Sequence, residues 1–113
     1  MLVYDGDKYI MLKQIYITHY IISHIQNNAG SSYRNPIKIL KEDSVDYVDL
    51  EYGIIKAIAE VLKFRYTVKD QVLFFSKRHK VYDIITIEKS DRTVQKYWFD
   101  ISNVFGQKCL VSN

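Results

Sequence analysis

The sequence predicts an α+β domain in which two helices pack on a mainly antiparallel sheet. Apolar residues recur twice with helical spacing before residue 64. From Phe64 to Ile101 they recur with a period of two, and short polar segments interrupt this pattern. Strands joined by short turns become antiparallel neighbours, so the C-terminal part is expected to form a meander.

The first helix is predicted over residues 13–28, after a β-hairpin at residues 2–12. Asp5-Gly6 supplies the hairpin turn, because glycine adopts a positive φ without steric cost. On a helical wheel the apolar residues of the first helix fall within one arc; they are Ile15, Ile17, Ile21, Ile22, Ile25 and Ala29. Gly30 is expected to end this helix in the left-handed conformation.

The second helix is predicted over residues 49–63, after a loop and a short strand at residues 37–40. Its apolar face is wide enough to pack on a sheet; it consists of Leu50, Ile54, Ala57, Ile58, Val61 and Leu62. Residues 42–51 are acidic and contain no Lys or Arg. Part of this acidic segment is expected to cap the helix, since carboxylates interact favourably with the free N–H groups of a helix N-terminus.

Four strands are predicted after the second helix, and together with the N-terminal hairpin they make up the sheet. Their ranges are 64–68, 71–76, 81–88 and 93–101. Lys69-Asp70 is the first predicted turn, residues 77–80 are the second, and residues 89–92 are the third. One face of the last strand pair is expected to carry Ile85, Ile87, Val94 and Trp98.

Length and cysteine content limit the class of protein. The 113 residues fit one domain over residues 1–113, with residues 106–113 as a loose tail. The one cysteine, Cys109, excludes an intramolecular disulfide and a cysteine-based zinc site, and favours a cytoplasmic location. No apolar run approaches the roughly 18 residues of a membrane span, so no membrane partner is expected.

Residue usage points to a source. Ten tyrosines stand against four glycines and one proline, and isoleucine is common. This bias suits an AT-rich coding genome, so we expect a small viral or mobile-element protein, which in the viral case acts in the host cell.

Charge is unevenly distributed, and this asymmetry gives the leading functional hypothesis. The net charge is +3, but residues 1–62 carry six Lys/Arg against eight Asp/Glu, whereas residues 63–113 carry ten against five. A basic hairpin tip among aromatic residues is typical of a phosphate-binding surface. We therefore expect a nucleic acid or nucleoprotein partner. The expected site consists of Lys77, Arg78, Lys80, Tyr82, Arg92 and Lys96. Tyr82 would stack on a base, and Tyr97 is the alternative residue for this role.

Two other functions stay open. A protein-binding inhibitor, or a homodimer, would use one face of the first helix formed by Tyr16, Tyr20, His24 and Asn27. A small metal-independent nuclease would use His79, whose imidazole titrates near neutral pH. Overall the sequence favours a non-catalytic accessory protein over an enzyme.

No cofactor or metal is expected. Four scattered glycines cannot form a phosphate-binding loop. His19 and His24 are five residues apart, which places them about 140° apart around a helix and too far for one metal ion.

Overall fold

A computed structural model describes residues 17–40 and 46–105, and in this part the chain has the α+β architecture predicted from the sequence. Two helices pack on a four-stranded mixed sheet. In chain order the elements are α1 (17–27), β1 (Ile37–Lys38), α2 (Tyr47–Leu62), β2 (Tyr66–Phe75), β3 (Val81–Lys89) and β4 (Val94–Asp100). Neither helix of the described part is long and apolar enough to cross a membrane. The predicted hairpin at residues 2–12 and the tail at 106–113 lie outside the described residues.

The strand order is β1-β4-β3-β2, and it corrects the predicted four-stranded meander. Strands β2, β3 and β4 are antiparallel neighbours, whereas β1 adds to β4 in parallel. The predicted turn at Lys69-Asp70 is wrong, because the register shifts between Val68 and Asp70 without reversing the chain. A β-bulge absorbs the extra residue, so one ten-residue strand replaces two shorter ones.

Local capping explains where the helices end. The N–H of Asp49 donates to the Asp46 carboxylate at the start of α2 (3.2 Å), which confirms the expected acidic cap. Helix α1 ends at Asn28, which has a φ of 58° and donates its N–H to the His24 carbonyl (2.9 Å). The prediction that Gly30 ends this helix is therefore wrong; Gly30 has another role, described below.

The core lies between the helices and one face of the sheet. Three isoleucines of α2, Ile54, Ile55 and Ile58, are fully buried there. They belong to one apolar cluster with the sheet residues Ile37, Ile85, Ile87, Tyr97 and Phe99. Burial raises the pKa of the Tyr97 hydroxyl to about 12. Because the helices among the described residues pack on one side of the sheet, we call the opposite side the open face.

Helix α1 is rotated relative to the predicted orientation, although Ile17 and Ile21 still pack against the core. Tyr20 and His24 are only 4% and 7% exposed, whereas Ile22 and Ile25 lie at the surface. The proposed Tyr-rich interaction face is therefore wrong at both of these positions. Of the two remaining members, Asn27 is exposed and Tyr16 lies outside the described residues.

The burial of His24 has a clear physical reason. Its Nδ1 donates a hydrogen bond to the Ala29 carbonyl (2.7 Å), so the buried polar group is satisfied. Its ring also packs against Tyr97 of β4, with 5.4 Å between the ring centroids. His24 thus ties the end of α1 to the sheet and is not available to a protein partner.

The register of β3 and β4 corrects the predicted faces. Ile85 is paired with Tyr97, and Ile84 is paired with Trp98. Directly paired residues share a face, and neighbours along a strand alternate. Ile85 therefore lies over the core with Tyr97, and Trp98 emerges on the open face, so the prediction that Trp98 shares a face with Ile85 is wrong.

Two carboxyl groups are buried between α2 and the sheet. The side chain of Glu51 is 0% exposed, and its oxygens have no hydrogen-bond donor among the described residues. The pKa of Glu51 is raised from 4.5 to about 11, first by burial and then by the neighbouring carboxyl of Asp83. Asp83 in turn accepts from Gln71 (2.6 Å), whose carbonyl accepts from the Tyr52 hydroxyl (2.5 Å). Glu51 is therefore neutral at pH 7.

This pair predicts a pH-dependent stability. Folded Glu51 keeps a proton that the unfolded chain releases above pH 4.5, so its contribution to the free energy of unfolding is complete at low pH and declines as pH rises toward 11. Glu51→Gln removes this titration. We expect the variant to match the native protein near pH 5 and to exceed it by at least about 1 kcal/mol near pH 8 in urea unfolding.

Glu60→Gln is the matched control, since Glu60 is exposed on the same helix. It should leave the dependence of stability on pH unchanged. Equal pH profiles for the native protein and Glu51→Gln would contradict a buried neutral carboxyl.

Candidate functional site

Four aromatic side chains form a connected cluster on the open face, which we call the aromatic patch. Trp98 lies at its centre, with its ring centroid 5.7 Å from Tyr82, 6.2 Å from Phe74 and 6.2 Å from Tyr33. Tyr82 is buried beneath the others, whereas Tyr33 and Phe74 are 52% and 44% exposed. Strands β2, β3 and β4 each supply one ring, and the loop before β1 supplies the fourth. The patch thus presents aromatic surface to solvent across the full meander.

The loop at residues 28–36 holds Tyr33 in place because Gly30 fastens it to β4. The Gly30 carbonyl accepts from the Trp98 N–H (2.8 Å), and the Gly30 N–H donates to the Asn35 carbonyl (2.6 Å). Gly30 has a φ of +95°, and a Cβ there would lie 3.0 Å from Cδ1 of Ile37. Only glycine meets both the dihedral and the space requirement. The same residue therefore closes the loop and brings Tyr33 beside Trp98.

The tip between β2 and β3 is an ordered turn. The Ser76 hydroxyl accepts from the backbone N–H groups of Arg78 (3.3 Å) and Lys80 (3.1 Å). His79 has a φ of 64°, and its N–H donates to the Ser76 carbonyl (3.3 Å). These bonds fix the backbone of the tip, from which the basic side chains extend next to the patch.

Basic residues surround one end of the aromatic patch. They are Arg34, Lys77, Arg78 and Lys80. Together with Ser76 and the four rings of the patch, they line a cavity of about 870 Å³. The guanidinium of Arg34 lies 5.5 Å from the ring centroid of Tyr33. Lys80 is 3.7 Å from the carboxylate of Asp100. Within the described part of the chain, Lys77 and Arg78 take part in no such ion pair, so their charges are available to an anion.

The structure brings together four of the six residues expected to bind nucleic acid. Lys77, Arg78, Lys80 and Tyr82 all line this cavity. Lys96 is exposed on the open face, two residues along β4 from Trp98.

Two residues named from the sequence do not join the site. Arg92 sits in the β3–β4 turn at the other end of β3, roughly 27 Å away along the strand, and it pairs with Glu88 (3.6 Å). Tyr97 faces the core and is fully buried, so the alternative stacking role is wrong.

The six residues expected from the sequence omit Trp98, Phe74 and Tyr33 of the patch, and Arg34 beside it. The predicted face of Trp98 is wrong because of a register error of one residue. Tyr33 and Arg34 lie in a loop without periodicity, and their only sequence signal is an aromatic-basic dipeptide. Their proximity to Trp98 depends on the Gly30 bond and not on sequence spacing.

The remaining chemistry in the described ranges is sparse. In residues 17–40 and 46–105, no group of three His, Cys, Asp or Glu side chains could hold a metal ion. Lys80 of the basic tip pairs with Asp100, and no ion pair joins the tip to the acidic segment in this part of the chain. Asp46 and Asp49 are used in the cap of α2, and Glu51 is buried.

Comparison with known proteins adds no family to these observations. No family model, curated protein or solved structure matches the chain. A function must therefore be inferred from the side chains of the open face and the charges beside them.

The position of Gly30 predicts that adding one methyl group there, as in Gly30→Ala, destabilises the fold. Gly30→Ala meets both a positive φ and Ile37, so we expect a loss of about 1–3 kcal/mol in the free energy of unfolding. Displacement of the loop should also shift the fluorescence of Trp98, the single tryptophan.

Gly53→Ala is the control, because a Cβ at this helical position would meet only Ile17 at an ordinary 3.8 Å. It is expected to stabilise the protein by up to about 1 kcal/mol, since alanine favours a helix over glycine. If both substitutions had the same effect in urea unfolding, the proposed role of Gly30 in the loop would be wrong.

Proposed function

We propose that this protein is a non-catalytic accessory protein that binds single-stranded nucleic acid on the open face of its sheet. The observation that carries the proposal is the aromatic patch beside the cations Arg34, Lys77 and Arg78. Bases stack on exposed aromatic rings with about 1–3 kcal/mol per base, and Lys or Arg side chains bind the phosphates. An intracellular location and a viral or mobile-element source, both expected from the sequence, belong to the same proposal.

The geometry favours single strands over duplexes. Tyr33, Trp98 and Phe74 follow one another across the sheet at centroid spacings of 6.2 Å. Such a row offers separate stacking surfaces to successive bases, and only unpaired bases expose their faces to them. Stacking on an aromatic ring is open to every base, so binding should tolerate many sequences.

The available charges predict which residues contact phosphate. Lys77 and Arg78 extend from the ordered tip, and Arg34 lies across the patch on the other side of Trp98. Lys80 is held by Asp100, whose carboxylate reduces the positive potential at that position. Loss of Arg78 should therefore weaken binding more than loss of Lys80.

Titration with single-stranded oligonucleotides tests the electrostatic part. Trp98 is the single tryptophan and lies in the patch, so its fluorescence should be quenched by stacking of a base. We expect Arg78→Glu to weaken binding of oligo-dT and oligo-U roughly tenfold, and to reduce the dependence of log affinity on log salt by about 0.7.

Lys56→Glu is the matched control, because Lys56 is exposed on α2, in the layer on the other side of the sheet. It changes the net charge as Arg78→Glu does. It should leave the affinity for both oligonucleotides within about twofold and the salt dependence of binding unchanged. If native protein leaves Trp98 fluorescence unchanged with both oligonucleotides at low salt, the proposed function is wrong. An oligonucleotide shortened by native protein and not by His79→Ala would favour the nuclease hypothesis instead.

Stacking is tested by Phe74→Ala. We expect a loss of affinity of about 1–3 kcal/mol, with little change in the salt dependence, because the lost interaction is uncharged. Val94→Ala is the control, as Val94 is an exposed apolar residue at the far end of the open face. Equal affinities for the native protein and Phe74→Ala would exclude stacking on this ring.

A further inference from the structure

Strand β2 forms one edge of the sheet and is unusually apolar for an edge. In the described part of the chain it pairs with β3 alone. Its last four side chains, Val72, Leu73, Phe74 and Phe75, are all exposed, although they point alternately to the two faces. Proteins normally protect a sheet edge with charge, proline or a short strand, and none of these is present at residues 71–75.

The ladder shows which backbone groups point outward. The Ile101 N–H donates to the Val81 carbonyl (2.9 Å), so Val81 directs its backbone toward β4. Its partner in β2 is Phe75, whose N–H and carbonyl must then point away from β3. Backbone groups alternate in direction along a strand, so the N–H and carbonyl groups of Leu73 and Gln71 also point away from β3. The edge thus presents three N–H groups and three carbonyls in regular succession.

We propose that this edge pairs antiparallel with the same edge of a second copy, with Leu73 on the two-fold axis. Leu73 then faces Leu73 of the second copy, and Gln71 faces Phe75 of the second copy. This register pairs outward-pointing residues with each other and allows six backbone hydrogen bonds. It also keeps facing side chains on the same side of the sheet, which a two-fold axis requires.

Apolar side chains fit this arrangement. On the open face Val72 meets Phe74 of the second copy, and the reverse pair repeats it. Beyond the paired segment, the same register places Asp70 of one copy opposite Ser76 of the other. The bulge at Lys69 and the turn after Phe75 limit the pairing to residues 71–75.

The dimer proposal does not rest on nucleic-acid binding, because it follows from the backbone groups on the edge of β2, although Phe74 belongs to both surfaces. Pairing joins two four-stranded sheets into one of eight strands, with both open faces on the same side. Five residues per copy make a contact smaller than the roughly 800 Å² per partner of a stable complex. We therefore expect dissociation in the micromolar range.

Sedimentation of the full chain from about 1 µM to about 1 mM, without nucleic acid, tests the proposal. The native protein should convert from monomer to dimer across this range. Leu73→Lys should remain monomeric, because two lysines would face each other on the axis. Val94→Lys makes a comparable change at an exposed apolar position away from this edge and should dimerise as the native protein does.

Leu73→Pro is a second test variant. Proline has no N–H, and the N–H of Leu73 points away from β3, so the substitution removes a hydrogen bond of the dimer without removing one from the sheet of the monomer. It should keep the circular dichroism of the native protein and lose the dimer. A native protein that is monomeric up to 1 mM, or a dimer unaffected by Leu73→Lys, would overturn the proposal. So would slow hydrogen exchange of the Leu73 amide in the monomer, since the chain itself would then cover the edge.

Discussion

The packing of Ile54 and Ile58 against Ile85 and Tyr97 is the constraint on which the other features depend. It assigns one face of β3 and β4 to the core, and the alternation of side chains then assigns their neighbours to the open face. Ile84 and Trp98, which are paired with each other, therefore lie on the open face. A slip of one residue between these strands would bury Trp98 and expose Tyr97. The composition of the open face is therefore a consequence of which residues the helices bury.

The same constraint explains why the patch is aromatic and still exposed. The helical layer covers the opposite side of the sheet, so Phe74 and Trp98 have no helix above them in the described part of the chain. The loop that adds Tyr33 is held by backbone bonds of Gly30 and not by burial of the tyrosine. Aromatic surface that a fold leaves uncovered beside cations is typical of a ligand site.

The polar groups inside the core differ in whether they find a hydrogen-bond partner. His24 finds the Ala29 carbonyl and connects α1 to the sheet. Glu51 lies beside a second carboxyl, that of Asp83, and its oxygens find no donor among the described residues, so Glu51 keeps its proton. The folded protein is therefore expected to lose stability as pH rises. The basic tip lies on the open face and makes no contact with Glu51 or Asp83 among the bonds described above.

The amino-acid sequence by itself determined the α+β class, the position of α2, its acidic cap and the basic tip at Lys77 to Lys80, because each follows from local spacing and local hydrogen bonding. Tertiary structure decided the rest. Continuity of β2 through the bulge at Lys69, the burial of Tyr20 and the face of Trp98 each depend on pairing with distant strands or helices. Side-chain alternation has a period of two, so an error of one residue in register reverses every assignment. For this physical reason the sequence located Lys77, Arg78, Lys80 and Tyr82 of the candidate site but not Trp98, Tyr33 or Arg34 beside them.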